Sequence, residues 1–235
     1  MSSILKNKLV GVVFLTLATL GLLSSSLVFS QNNPPQTQVL LNWTSQTYAP
    51  NGYVGKTLPT GNSWITATVD VIRGGKMVSL DKENIYWYRN DQFIDGGVGL
   101  WQINIQAPEI PGDTISLRAE VPGLGGSTLK TIDIPTTQPV VALDAPYPGG
   151  YVSGQKIKVT ALTYFFDTKN PLDIKYNWKV NNENVKNLES PFYVELAPRE
   201  DTPDGFSMRV ELGVVDPKNI FVGARRIVSL TLKNN

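Results

Sequence analysis

A motif that recurs at a fixed spacing constrains this chain more than its composition does. Trp87-Tyr88-Arg89-Asn90 returns 91 positions later as Trp178-Lys179-Val180-Asn181. Ser116-Leu117-Arg118-Ala119-Glu120-Val121 returns at the same spacing as Ser207-Met208-Arg209-Val210-Glu211-Leu212. Ala107-Pro108 reappears as Ala197-Pro198, and Gly52-Tyr53-Val54 as Gly150-Tyr151-Val152. Matches in one order along two stretches of roughly 100 residues describe a single structural unit built twice. The copies are expected at 39–135 and 136–235, joined near Pro135 to Pro139 and preceded by a polar, Pro-containing spacer at 31–38.

Within each copy, short alternating segments are broken by Gly, Pro, Asn and Asp, and no stretch sustains a helical period. Strands are expected at 63–72, 85–90, 101–106, 114–121 and 129–134 in the first copy. In the second they are expected at 140–143, 156–164, 174–180, 192–196, 207–215 and 226–232. Parity sorts the side chains. Leu117, Ala119 and Val121 share one face while Ser116, Arg118 and Glu120 share the other. Met208, Val210, Leu212 and Val214 likewise oppose Ser207, Arg209 and Glu211. One buried and one wet face per strand is the pattern of antiparallel sheets packed in pairs. Trp87, Trp178, Leu117, Met208 and Val210 are therefore expected in the core, with Ile85 and Tyr176 two positions before the tryptophans on the same faces.

Two motifs carry a family resemblance. Trp178-Lys179-Val180-Asn181-Asn182 is similar to a third strand and turn of the form Trp-x-Val-Asn-Gly. Pro203-Asp204-Gly205-Phe206-Ser207-Met208-Arg209-Val210 is similar to the entry into a penultimate strand. The chain resembles the bacterial immunoglobulin-like domains, particularly the PKD-like kind, over nearly all of 38–232. Ile115 and Phe206 stand where a tyrosine usually ties the corner, and no Cys pair bridges the sheets. The resemblance implies an all-β fold of two tandem immunoglobulin-like β-sandwich domains, doing extracytoplasmic spacer, adhesion or assembly work rather than catalysis.

Composition removes many functions. Lys and Arg number 21 against 20 Asp and Glu, with no basic block, so the electrostatic footprint of a nucleic-acid binder is absent. With His 0 and Cys 0, the chain has no Ser-His-Asp triad, no thiol nucleophile, no preferred zinc ligands and no disulfides. It also has no lipobox cysteine.

Location is read from the N-terminus. Lys6 and Lys8 precede Leu9 to Phe29, 21 residues without charge, close to the ~20 that span a bilayer. Val28 and Ser30 suit a secretory signal cleaved after Ser30. The segment 1–30 is therefore either a signal peptide or an N-terminal membrane anchor, and both place the remainder outside the cytoplasm. Contact with membrane is expected only through this segment.

Without His or Cys, carboxylates are the remaining catalytic route. Asp91 and Asp95 flank an expected turn and 200–205 forms an acidic loop, both of which turn-forming Asp explains, so no catalytic residue is assigned. These carboxylates and the segment Asp167 to Asp173 offer oxygens of the kind Ca2+ takes, but none has EF-hand spacing, and neither metal nor cofactor is expected. Gly96-Gly97-Val98-Gly99 and Gly123-Leu124-Gly125-Gly126 read as turns, since no helix follows to make a phosphate cradle. Asn42-Trp43-Thr44 is the one Asn-x-Ser/Thr sequon.

Tyr86 and Tyr88 alternate with Trp87 and so face outward, where the second copy has Asn177 and Lys179. With Trp101 they are the candidate contacts for a partner: another protein or envelope component, or, alternatively, a carbohydrate. Arg89 takes the parity of Trp87, which places it at the sandwich mouth or beside a carboxylate.

Overall fold

The alternating segments pair into four sheets in a computed structural model that describes residues 36–124, 128–153 and 156–233. The expected signal or anchor at 1–30, the first residues of the spacer, and Gly125 and Gly126 lie outside the described residues. The first sandwich contains β1 (Thr37–Ser45), β2 (Trp64–Arg73), β3 (Lys76–Met77), β4 (Asn84–Arg89), β5 (Gln92–Val98), β6 (Gln102–Gln106), β7 (Thr114–Glu120) and β8 (Leu129–Pro135). One sheet joins β1, β3 and β6 to β2, and the other runs β5-β4-β7-β8. The second sandwich contains β9 (Val140–Asp144), β10 (Tyr151–Val152), β11 (Ile157–Tyr164), β12 (Lys175–Val180), β13 (Glu183–Asn184), β14 (Tyr193–Leu196), β15 (Ser207–Asp216) and β16 (Asn219–Leu232). Its sheets run β14-β11-β9 and β10-β16-β15-β12-β13, antiparallel except where β10 lies parallel to β16.

Period-two alternation fills the space between sheets. Ile65, Ala67, Val69 and Val71 of β2 are fully buried against Ile85, Trp87, Leu117 and Ala119. In the second core Trp178 is buried with Val159, Met208, Val210 and Leu212. Trp87 is 0% exposed and Trp178 2%. A buried indole N–H needs an acceptor, and both tryptophans find one thirteen residues onward: Trp87 Nε1 donates to Leu100 O at 2.8 Å and Trp178 Nε1 to Pro191 O at 2.9 Å.

Each tryptophan strand ends in a two-residue turn with positive φ at both positions, 48° and 62° at Asn90-Asp91 and 48° and 70° at Asn181-Asn182. Asn and Asp tolerate this region, which matches the twist of a hairpin. Each leading asparagine also bonds the neighbouring strand: Asn90 Oδ1 accepts from Ser116 N and Asn181 Oδ1 from Arg209 N.

Those two partners are 93 positions apart, not 91. Trp87 pairs with Ala119 and Trp178 with Leu212, so β15 is advanced by two residues relative to the sequence match. Every side chain keeps its face, because only an odd slip exchanges faces. Across the strand, however, Arg118 stands opposite Tyr88, whereas Glu211 and not Arg209 stands opposite Lys179.

Four expectations change. No strand was expected before residue 63, yet β1 occupies Thr37–Ser45. The Gly96-Gly97-Val98 segment belongs to β5, not to a turn, because the hairpin uses only Asn90-Asp91. Strand β16 begins at Asn219, seven residues before the expected 226. Glu211, assigned to the wet face, is 8% exposed because Arg225 and Arg209 close over it, with Nη2 atoms at 2.7 Å and 3.8 Å from Oε2.

The sandwiches meet at a bonded joint. Tyr48 N donates to Phe166 O at 2.8 Å and Phe165 N to Tyr48 O at 2.6 Å, a short backbone bridge. The Tyr53 ring lies edge-on to Tyr164 and Phe165, each at 5.8 Å. Asn219 Nδ2 donates to Glu109 O at 3.3 Å. Gly61 is required there, since a Cβ would sit 2.3 Å from Glu109 O and 2.9 Å from Val222 Cγ2.

Candidate interaction surface

The outer face of the β5-β4-β7-β8 sheet carries an aromatic cluster built on a glycine. Tyr86 is paired with Gly96, and a Cβ at Gly96 would lie 2.6 Å from Tyr86 Cδ1 and 3.1 Å from Phe93 Cε2. Two rings therefore occupy the space over that backbone, covering a residue that otherwise weakens a strand. Tyr88 meets Phe93 edge-on, with centroids 5.8 Å apart and planes at 73°. Phe93 is 59% exposed while Tyr86 and Tyr88 are half-buried.

Arg118 completes the cluster. Its guanidinium carbon lies 4.3 Å from the centre of the Tyr88 ring, within cation-π range. Nε is 3.4 Å from Glu120 Oε1, an ion-pair contact without hydrogen-bond geometry, so this buried nitrogen has no hydrogen-bond partner. The Arg118 head is thus held by charge and by a ring. Sequence reasoning did not single out Phe93 or Arg118, because Phe93 sits among turn-type residues and Arg118 matched Arg209 at the 91 spacing.

Trp101 is not brought to Tyr86 and Tyr88. It stands just before β6, in the other sheet, where its carbonyl accepts from Val69 N at 2.9 Å, and it is 45% exposed. Arg89 lies at the sandwich mouth, with Nη1 donating across to Gln106 O at 2.9 Å. The acids take local roles. Asp95 Oδ1 accepts from Gly96 N at 2.8 Å, Asp173 Oδ2 accepts from Thr168 Oγ1 at 2.9 Å, and Asp201 edges a depression of about 550 Å³ with Pro203, Phe206 and Met208. Among the described residues, no three His, Cys, Asp or Glu side chains form a metal-binding group, and no helix is long and apolar enough to cross a membrane.

Two carboxyls are displaced in opposite directions. The hydrogen bond from Arg225 holds the Glu211 carboxyl below the usual range against the effect of burial, aided by the charges of Arg225, Lys179 and Arg209. Burial pushes Asp167, beside the joint, upward; the Asp216 charge adds to this and Lys218 opposes it.

The class of protein defined by this strand pairing is a chain of two tandem immunoglobulin-like β-sandwiches. No protein-family model matches the chain, and no curated protein matches it. Solved structures to which it is similar include the fibronectin(III)-like modules of Clostridium thermocellum CbhA, at 15% identity over 84% of this chain and 95% of that one, with a TM-score of 0.30. Three N-terminal domains of the bacteriophage RB49 highly immunogenic outer capsid protein match at 11% identity over 85% of this chain and 59% of that one, with a TM-score of 0.39. The mouse nectin-like molecule 4 ectodomain, Ig1 to Ig3, matches at 14% identity over 86% and 65%, with a TM-score of 0.32. At these scores the likenesses carry no argument about activity, and the architecture rests on the pairing itself.

Proposed function

We propose that this is a non-enzymatic, extracytoplasmic structural or protein-interaction chain whose first sandwich contacts a protein or envelope partner through Phe93, Tyr88, Tyr86 and Arg118. The single observation that carries the reading is that cluster: three rings and a guanidinium on one exposed sheet face. Tyr and Arg are enriched among the residues that dominate protein interfaces. Tyr buries a large rigid ring at little conformational cost, and Arg brings a planar fork of hydrogen-bond donors that also stacks on rings. The second sandwich has Asn184, Lys179, Asn177 and Glu211 at the corresponding places, so the cluster is not a requirement of the fold. Export is supported by Lys6, Lys8 and the uncharged run that follows them. The alternative carbohydrate reading would rest on Tyr86 and Tyr88 without Trp101, which lies beside the other sheet.

The test is a photo-reactive residue placed at position 93 or, separately, at 184 in the full chain expressed in its own host. A discrete adduct formed from 93 and lost with Tyr88→Ala is expected. Adducts from 93 that match those from 184 would remove the assignment.

A further inference from the structure

The opposite face of the first sandwich differs in chemistry from the aromatic one and from the matching face of the second sandwich. Along β1, β2 and β6 the outward residues fall into rows. Thr44 is paired with Thr66 and Thr66 with Asn104; in the next row Asn42 is paired with Thr68 and Thr68 with Gln102. Beyond them Trp64, 48% exposed, is paired with Gln106. These rows contain hydroxyls, amides and one indole, with no charge and no aliphatic side chain. Lys56 reaches one row, donating to Asn42 Oδ1 at 3.2 Å, and one row further out Asp70 is paired with Leu40, 38% exposed. The matching face of the second sandwich is built differently, with Lys158 paired to Glu195 and its Nζ lying 3.8 Å from the centre of the Tyr193 ring.

Much of this hydrogen-bonding capacity is unspent. Thr66 Oγ1 donates to Asn104 Oδ1 at 2.7 Å, which orients the Asn104 amide and leaves its NH2 outward. Gln106 Nε2 donates to Asn62 O at 2.9 Å, which leaves its carbonyl oxygen. Each amide offers both donors and acceptors and each hydroxyl does the same, on strands about 4.8 Å apart.

We infer that this face is a binding platform for a neutral polysaccharide, with Trp64 stacking on a sugar ring and the rows of Thr, Asn and Gln pairing with hydroxyls. A sugar polymer presents an apolar ring face and a dense array of neutral donors and acceptors, which is the complement of an indole set among amides and hydroxyls. An anionic polymer would find no countercharge in these rows. A protein partner would lack the apolar centre that its interface needs. The inference is independent of the Tyr88 surface, because the two lie on opposite sheets.

The test is affinity electrophoresis of the exported chain through gels containing glycogen, xyloglucan or hydroxyethylcellulose, with dextran sulfate as the charged comparison. Retardation by at least one neutral polymer, unchanged by added salt, is expected. Trp64→Ala should weaken it roughly tenfold, the worth of one stacking contact. Asn104→Ala should weaken it less, and it serves as the readout if Trp64→Ala does not melt as a folded protein. Tyr88→Ala should leave the retardation unchanged. The inference is overturned if none of the three neutral polymers retards the chain, if the folded Trp64 and Asn104 variants run like wild type, or if Tyr88→Ala alone abolishes retardation.

Discussion

Opposite the outward residue that follows each core tryptophan, the two sandwiches make different choices. In the first, Tyr88 faces Arg118, and the guanidinium lies over the ring. In the second, Lys179 faces Glu211, and the carboxylate is gripped by Arg225. The strands, turns and tryptophan hydrogen bonds behind these pairs are alike, so the difference belongs to the surface and not to the fold. A fully buried position accepts few side chains because the core is close-packed. An outward position is under no such constraint and can be given to stacking, to charge or to a partner.

The core half of this comparison is tested by the largest effect. Trp87→Ala and Trp178→Ala should each cost about 3–5 kcal/mol in denaturant unfolding, the usual range for emptying a buried aromatic site. A cost below ~1 kcal/mol at either position would break the equivalence of the two cores.

A pair of glycine substitutions sharpens the surface half. Gly96→Ala should destabilise by about 1–3 kcal/mol, because the new methyl meets the Tyr86 ring at 2.6 Å. Gly213→Ala should fall within about 0.5 kcal/mol of wild type, since its Cβ meets nothing nearer than Asn177 O at 4.0 Å. Equal melting temperatures for the two variants would show that the Tyr86 ring does not rest on Gly96.

The smallest effects are electrostatic and opposite in sign. The Glu211 carboxyl titrates below its unfolded value, so its stabilisation is fully present above the ordinary glutamate range and is lost as pH falls through the lowered value. Glu211→Gln should therefore lower the melting temperature at neutral pH, with the gap closing in acid. The Asp167 carboxyl titrates above its unfolded value, so its contribution is present below the ordinary aspartate range and is lost as pH rises through the raised value. Asp167→Asn should raise the melting temperature at neutral pH, and that gap should also close in acid. Melting profiles from neutral to acid pH read both, and two gaps of the same sign would refute the assignment.

Legibility in the sequence followed the kind of force involved. The tryptophan strands could be read because apolar residues alternate around Trp87 and Trp178 and an Asn-led turn follows each. Strand β5 could not, because Asp-Gln-Phe-Ile-Asp-Gly-Gly has the composition of a loop, and Gly96 becomes a strand residue only with the Tyr86 ring above it. Tyr86 and Tyr88 were identifiable as outward residues from parity. Phe93 and Arg118 beside them were not, since both depend on cross-strand pairing. Strand β1 was missed altogether, because its run Val39-Leu40-Leu41 followed by Asn42 breaks the apolar-polar alternation, although Val39, Trp43 and Ser45 are the residues it buries.

The sequence by itself determined that one β-unit is built twice, which side chains of each strand face inward, and that two tryptophans stand at equivalent places. Those are local properties, written in period-two alternation and in a repeat. Only the tertiary structure decided that β15 is advanced by two residues against β12. It alone placed Arg118 beside Tyr88 and Glu211 beside Lys179, and it alone set Trp64 among amides and hydroxyls on a face that Trp101 does not share with Tyr88. An even slip leaves every residue on its proper face, so alternation cannot report it. Register is set by which strand a hairpin, a bonded asparagine and a packed ring bring alongside.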